Sequence, residues 1–119
     1  MAFAQALQTV AKRVPEMRVV MIIGTDGIPI ERLVLQHDPN LETIAAEYTT
    51  LLRSSLAAAS DTGLGDLQEL SVVTESLTTL IVGITREYFL FAVLAPGALL
   101  GRARFALRMA GAGLEREFL

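Results

Sequence analysis

Val19-Val20-Met21-Ile22-Ile23-Gly24-Thr25-Asp26-Gly27-Ile28-Pro29-Ile30 is the stretch on which the fold of this 119-residue chain turns. Its left half belongs to a longer run, Met17 to Gly24, that is β-branched and almost wholly apolar, as a strand covered on both faces should be. Asp26-Gly27 between two strand-like runs signals a hairpin, and type I′ geometry there puts Gly27 at positive φ. Ile28 to Leu35 reads as the returning strand, with Pro29 near its start, where a missing amide donor is tolerated. Upstream, Phe3, Leu7, Val10 and Val14 recur at steps of four, three and four, which predicts an amphipathic helix from Ala2 to Val14. Pro15 ends it by pushing the preceding residue out of the α region.

Downstream, Asp38-Pro39 is expected to open a second helix, the aspartate as N-cap and the proline at the first helical position. Glu42 suits the positive end of its dipole. This helix is expected to run to about Ser60, because Gly63 and Gly65 supply a left-handed stop. Three strands follow, about Leu67 to Thr74, Leu77 to Ile84 and Tyr88 to Ala95, with turns at Glu75-Ser76 and Arg86-Glu87. Connections this short force antiparallel neighbours. After Pro96-Gly97 a helical pattern returns from Ala98 to Glu117. The order α-β-β-α-β-β-β-α predicts a single α+β domain over residues 1–119: a five-stranded antiparallel sheet with helices packed on it.

Composition narrows the function classes. Charged residues are 19% and the hydrophobic set 52%, a core-rich globular balance. Acids outnumber bases 13 to 10 with no basic block, which argues against a nucleic-acid surface. The mean hydropathy of +0.48 raises the question of a membrane span. The longest charge-free stretch, Tyr88 to Gly101, is broken by Pro96-Gly97 and falls short of the about 18 apolar residues a span needs, so no membrane insertion is expected. Met1-Ala2-Phe3-Ala4 has no basic n-region, so no signal peptide is expected and the cytoplasm is the expected location. Zero cysteines exclude disulfides, thiolate metal sites and a cysteine nucleophile. Lys12 is the sole lysine among 10 basic residues, an arginine skew that fits a GC-rich bacterial genome.

On a helical wheel the middle helix carries two adjoining apolar stripes. Leu41, Ala45, Leu52, Leu56 and Ala59 form one; Ile44, Tyr48, Leu51, Ser55 and Ala58 form the other. Together they span about 160° of arc, where one packing contact needs roughly 100°. Glu42, Glu47, Thr49, Thr50, Arg53 and Ser54 hold the polar remainder. Two placements satisfy such an arc: burial between the sheet and the first helix, or contact with another protein or a second copy. Deep burial on nearly half the girth is hard to arrange in so short a chain, so the arc predicts oligomerisation. In the last helix Leu99, Ala103, Ala106, Leu107, Ala110 and Leu114 are expected to face the sheet, and Arg104, Arg108 and Glu115 to form a solvated stripe. Phe105 and Met109 lie off both, either an interaction patch or ordinary scattered surface apolar residues.

Nothing in the sequence has the pattern of a catalytic centre. His37 is the single histidine, in a polar loop, with no cysteine or second histidine to complete a metal site. Ser54, Ser55 and Ser71 lack a Gly-x-Ser-x-Gly elbow. Gly63-Leu64-Gly65 follows a helix and has no lysine after it, so no P-loop is present. Glu42 and Glu47 do not share a helix face, and the turn role of Asp26 accounts for it. No cofactor and no metal are expected.

The order and spacing of these pieces resemble the Roadblock (dynein light chain) family. The stretch Val19 to Ile30 is the most specific part, and the Leu100-Gly101-x-x-Arg104 opening of the last helix fits as well. The resemblance runs from the first helix to Leu119. It departs at Pro15-Glu16-Met17-Arg18, where the family often has a Pro-Gly-Val type approach. The resemblance implies a non-enzymatic homodimer, joined through the middle helix and the edge of the third strand so that two sheets become one. Members serve as scaffolds or regulators of small Ras-like GTPases; bacterial ones include the GTPase activator of a gliding-motility polarity switch, and eukaryotic ones serve dynein and lysosomal scaffolds. On this reading Ile44, Tyr48, Leu51, Ser55, Ala58, Val72 and Val73 are interface candidates, and Phe105, Met109 and Arg53 are partner-contact candidates. Val72 and Val73 sit in the β-branched run Ser71 to Thr74, suited to pairing edge to edge.

The leading functional expectation is therefore a homodimeric regulator or scaffold for a small Ras-like GTPase, with a structural adaptor lacking any GTPase as the alternative. A small enzyme or ligand-binding domain is disfavoured by the lack of a convergent polar constellation. An activator could supply an arginine finger, for which Arg32, Arg53 and Arg86 are the loop or exposed choices, or arrange the GTPase's own residues.

Overall fold

Alternation along the central strands sets the layers. A computed structural model describes residues 2–118; the terminal residues 1 and 119 of the expected domain lie outside the described residues. Helix α1 (Ala2–Arg13) leads into β1 (Met17–Gly24) and β2 (Pro29–Val34), followed by α2 (Leu41–Asp61). Strands β3 (Glu69–Val73), β4 (Thr78–Gly83) and β5 (Tyr88–Leu94) precede α3 (Leu100–Leu114), which tightens into a 3-10 turn over Glu115–Phe118. The five strands form one antiparallel sheet in the order β2-β1-β5-β4-β3. The fold class and element order are those the sequence predicts.

Both faces of the sheet are covered, and successive residues of the inner strands serve opposite cores. Val20, Ile22, Leu80, Val82, Leu90, Ala92 and Leu94 pack under α1 and α3 with Leu7, Val10, Ala103 and Leu107. Val19, Met21, Ile23, Ile81, Phe89, Phe91 and Val93 pack under α2 with Leu41 and Leu52. This double duty is why β1, apart from Arg18, and β5 read as nearly continuous apolar runs. It also removes one of the two placements considered for the middle helix. The α2 helix is not sunk between the sheet and α1, because α1 lies on the opposite face.

Local chemistry explains the boundaries. The Schellman pattern closes α2: Leu64 N donates to Ala59 O at 3.0 Å, Gly63 N donates to Ser60 O at 3.1 Å, and Gly63 has φ +71°. The start of α2 differs from expectation by two residues. Asp38 Oδ1 accepts from Asn40 N at 2.8 Å and its carbonyl accepts from Leu41 N at 3.1 Å, so Asp38-Pro39-Asn40 satisfy one another as a turn and Asn40 becomes the cap position. The hairpin also differs from type I′. Gly27 takes φ +83° as expected, but no non-glycine residue among the described ones has positive φ, so Asp26 does not. Gly27 N instead donates to Gly24 O at 3.0 Å and Asp26 Oδ1 accepts from Ile28 N at 3.0 Å. The β1–β2 register shifts between Ile22 and Ile23, where Pro29 without its amide proton meets the strand.

Two further placements depart from the sequence reading, and one close approach adds to it. Leu99 precedes α3 and is 59% exposed instead of facing the sheet. Thr49, assigned to the polar side of the middle helix, is buried against Gly27, whose added Cβ would sit 3.3 Å from the Thr49 methyl carbon. Gly111 is buried because α3 closes on β4 there: a Cβ at Gly111 would lie 3.3 Å from the Gly83 carbonyl oxygen. Beyond α3, Phe118 stacks on Tyr88 at 4.3 Å and on Phe3 at 5.3 Å between ring centres, which ties the chain end to β5 and α1.

Candidate protein interaction surface

Helix α2 is anchored asymmetrically. Along one flank Arg32 of β2 pairs with Glu42 at 2.9 Å, Thr49 lies under Gly27, and Arg53 donates to the Thr25 carbonyl at 2.8 Å. All three contacts hold that flank to the β1–β2 hairpin side. Ile44, Leu51 and Ala58 project about 180° round the helix from them and so look toward the β3 side of the sheet. Ile44 and Tyr48 are half-buried on the α2 core, whereas Leu51 is 40% exposed and Ala58 is exposed. Ser55 is half-buried and its hydroxyl donates to the Leu51 carbonyl at 2.9 Å, an internal bond that leaves the stripe without an outward donor at that point.

Strand β3 is the edge next to that stripe. Only one side of it is paired, with β4. Alternation divides its residues. Leu70 joins the α2 core, so Val72 shares the α2 side; Glu69 meets α3, so Val73 lies on the α3 side, where it is 64% exposed. The expected interface set is thus gathered as a helix stripe, an open strand edge and Val72 on one flank, with Val73 across the sheet.

The partner-contact set is not gathered. Arg53 belongs to the α2 layer, while Phe105 (62% exposed) and Met109 (53% exposed) stand on α3 on the other face. The three arginines considered as fingers are each engaged within the chain: Arg32 with Glu42, Arg53 with Thr25, and Arg86 with Asp66 at 3.2 Å. His37 is exposed in its loop. Among the described residues no group of three or more metal-ligating side chains converges, and no helix is long and apolar enough to cross a membrane.

One constellation escaped the sequence reading. Arg104 and Arg108, expected to be solvated, clamp Glu69 of β3. Arg104 Nε donates to both carboxylate oxygens at 2.8 and 2.9 Å, and Arg108 donates to Oε1 at 3.2 Å. The Arg104 hydrogen bond holds the Glu69 carboxyl below the usual carboxylate range, outweighing the opposing effect of burial, with the Arg104 charge and Arg108 adding to it. The only hint in the sequence was an acid at the start of the third strand. The clamp pins the edge strand to the sheet at its first residue.

Comparison with known proteins agrees with this architecture. The gliding protein MglB from Thermus thermophilus superposes with a TM-score of 0.84 at 19% identity, over 97% of this chain and 87% of that one. A Roadblock/LC7 domain from Streptomyces avermitilis gives 0.82 at 16% identity, over 96% and 95%. MglC from Myxococcus xanthus gives 0.70 at 26% identity, over 98% and 99%. No curated protein sequence matches the chain. The Roadblock/LC7 domain family model matches residues 4–95, from α1 through β5, and the chain belongs to that family.

Proposed function

We propose that the protein is a homodimer, formed through α2 and the open edge of β3, that regulates or scaffolds a small Ras-like GTPase in the cytoplasm and has no chemistry of its own. The observation that carries the dimer is the pairing of a half-bare apolar stripe with an open strand edge on the same flank, in a chain of the Roadblock/LC7 family. Joining two β3 edges continues the sheet, satisfies backbone groups that otherwise face solvent, and brings the two Leu51 side chains out of water. Ile44, Tyr48, Leu51, Ser55, Ala58 and Val72 form this interface, with Val73 at its far margin.

Regulation by contact needs no donated arginine, and Arg32, Arg53 and Arg86 each already have a hydrogen-bond partner within the chain. A contact regulator biases a switch only through different affinity for its two states. A tenfold preference requires about 1.4 kcal/mol, within reach of a few contacts to switch loops that nucleotide orders. Titration of a candidate Ras-like GTPase, in its GTP-analogue and GDP forms, is expected to show at least that preference. The purified protein by itself is expected neither to bind nor to hydrolyse GTP. Equal affinity for the two forms, or none for either, establishes the adaptor reading instead.

A further inference from the structure

Strand β2 is the other open edge of the sheet, at the opposite side from β3, and only β1 pairs with it. Ile30, Val34 and the following Leu35 are large apolar side chains that stand between 41% and 49% exposed there. An open edge strand is ordinarily guarded along its length by charges, prolines or bulges. On β2 the guards stand at one end. Pro29 has no amide proton, and the register shift between Ile22 and Ile23 leaves Ile30 without a partner on β1. Of the two charges that follow, Arg32 is tied to Glu42 at 2.9 Å. Glu31 is half-buried and takes part in no ion pair among the described residues.

The ladder with β1 decides which backbone groups look outward. Leu35 N donates to Arg18 O at 2.7 Å, so Arg18 and Leu35 are a hydrogen-bonded pair. Such pairs recur at every second residue, and the register is regular from Val19↔Val34 to Ile22↔Glu31, so Leu33 and Glu31 also bond to β1. Arg32 and Val34 therefore turn their N–H and C=O groups away from β1, to solvent. Side chains alternate as well. Arg32 reaches Glu42 of α2, so Val34 shares the α2 face; Leu33 packs on the α1 core, so Glu31 and Leu35 share that face. Donors and acceptors at this spacing are satisfied together by another extended chain, whereas a helix spends its backbone groups on itself.

We propose that the β2 edge binds an extended segment of another protein, added antiparallel as a sixth strand, with β-branched residues beside Leu33 and Val34 and a lysine or arginine beside Glu31. The outward groups of Arg32 and Val34 hold the segment's backbone. Leu33 and Glu31 fall at the non-hydrogen-bonded positions of the new pair, where opposite side chains come closest, so the unpaired carboxylate sets the register. Every pair in this sheet is antiparallel, and that direction places the basic residue after the apolar ones in the segment. The site is independent of the α2 and β3 flank: if two β3 edges join, the β2 edges remain as the two ends of the joined sheet.

Fluorescence anisotropy with the full chain and a labelled peptide carrying Val-Ile-Val-Thr-Lys-Val, set opposite Leu35 to Ile30 in that order, tests this. Saturable binding is expected below about 1 mM. N-methylation of the Ile and Thr amides, which face Val34 and Arg32, is expected to weaken binding at least about tenfold. N-methylation of the third Val and the Lys, whose amides face away, is expected to leave it within about threefold. Val34→Pro deletes an outward N–H and no bond to β1, so it is expected to keep the circular dichroism of the wild type and to lose at least about tenfold in affinity. Val34→Thr keeps the N–H and is expected to bind within about threefold of the wild type. Glu31→Lys is expected to cost about tenfold, and a peptide with Glu in place of Lys to restore it. Absence of binding, equal effects of the two methylation patterns, or a charge swap that restores nothing overturns the proposal. Association between copies that Val34→Pro abolishes, with no peptide binding, assigns the edge to a second copy and overturns it as well.

Discussion

Gly27 and Thr49 meet where the hairpin crosses the middle of α2, and each constrains the other. Gly27 holds φ +83°, a conformation costly for any residue with a Cβ, and the space that Cβ would occupy is already taken by the Thr49 methyl group at 3.3 Å. Gly27→Val is therefore expected to lower stability by roughly 1–3 kcal/mol in chemical denaturation, through backbone strain and the displaced threonine together. Thr49 has the opposite prospect. Its Oγ1 is buried without a hydrogen-bond partner among the described residues, so the hydroxyl is desolvated for nothing in return. Thr49→Val keeps the branched shape and is expected to stabilise by about 1 kcal/mol; a fall in the denaturation midpoint would reveal a hidden partner. The glycine was legible, because Asp-Gly between apolar runs demands a left-handed residue. The threonine was not, because it falls only about 20° beyond Leu56 on the helical wheel and its polarity argued for the solvent side.

Elements were mostly legible where the chain is punctuated. Pro15, Asp26-Gly27, Gly63 and Pro96-Gly97 each stop a segment for a reason internal to a few residues, and the structure breaks at all four. Boundaries drifted where two local solutions compete, as at Asp38-Pro39-Asn40, where the aspartate satisfies a turn before the helix begins. Contacts between elements distant in sequence left little trace, and the clamp of Glu69 by Arg104 and Arg108 joins groups 35 and 39 residues apart. That clamp gives β3 a pH-dependent anchor. The folded-state pKa of Glu69 is lowered, so the stabilisation is complete above the unfolded carboxylate value of about 4.3 and is lost as pH falls through the lower folded value. Glu69→Gln keeps the shape but not the charge. It is expected to cost about 1 kcal/mol near neutrality, discounted for the exposure of both arginines, and the difference from wild type is expected to vanish in strong acid. Thermal melts of the two proteins across an acid series read both effects.

At the scale of the whole molecule, sequence order does not say which helices share a face of the sheet. The over-wide arc of α2 pointed outward, but only the pleat places α1 and α3 together and leaves α2 alone on its side, with one flank tied to the hairpin and the other toward an open edge. This asymmetry makes Leu51 the sharpest probe of the proposed dimer. At 40% exposure it is outside both buried clusters, so changing it empties no cavity within the protomer. In a dimer closed around α2 and β3, Leu51→Glu puts one carboxylate from each protomer into a contact that excludes water. A buried charge without a partner costs several kcal/mol, and two like charges near a two-fold axis repel as well. Leu51→Glu is therefore expected to give a folded protein whose mass in light scattering is that of a monomer. Leu51→Ala removes apolar contact without adding charge and is expected to weaken the dimer only in part. A Leu51→Glu protein that still sediments as a stable dimer would place the interface away from this flank of α2.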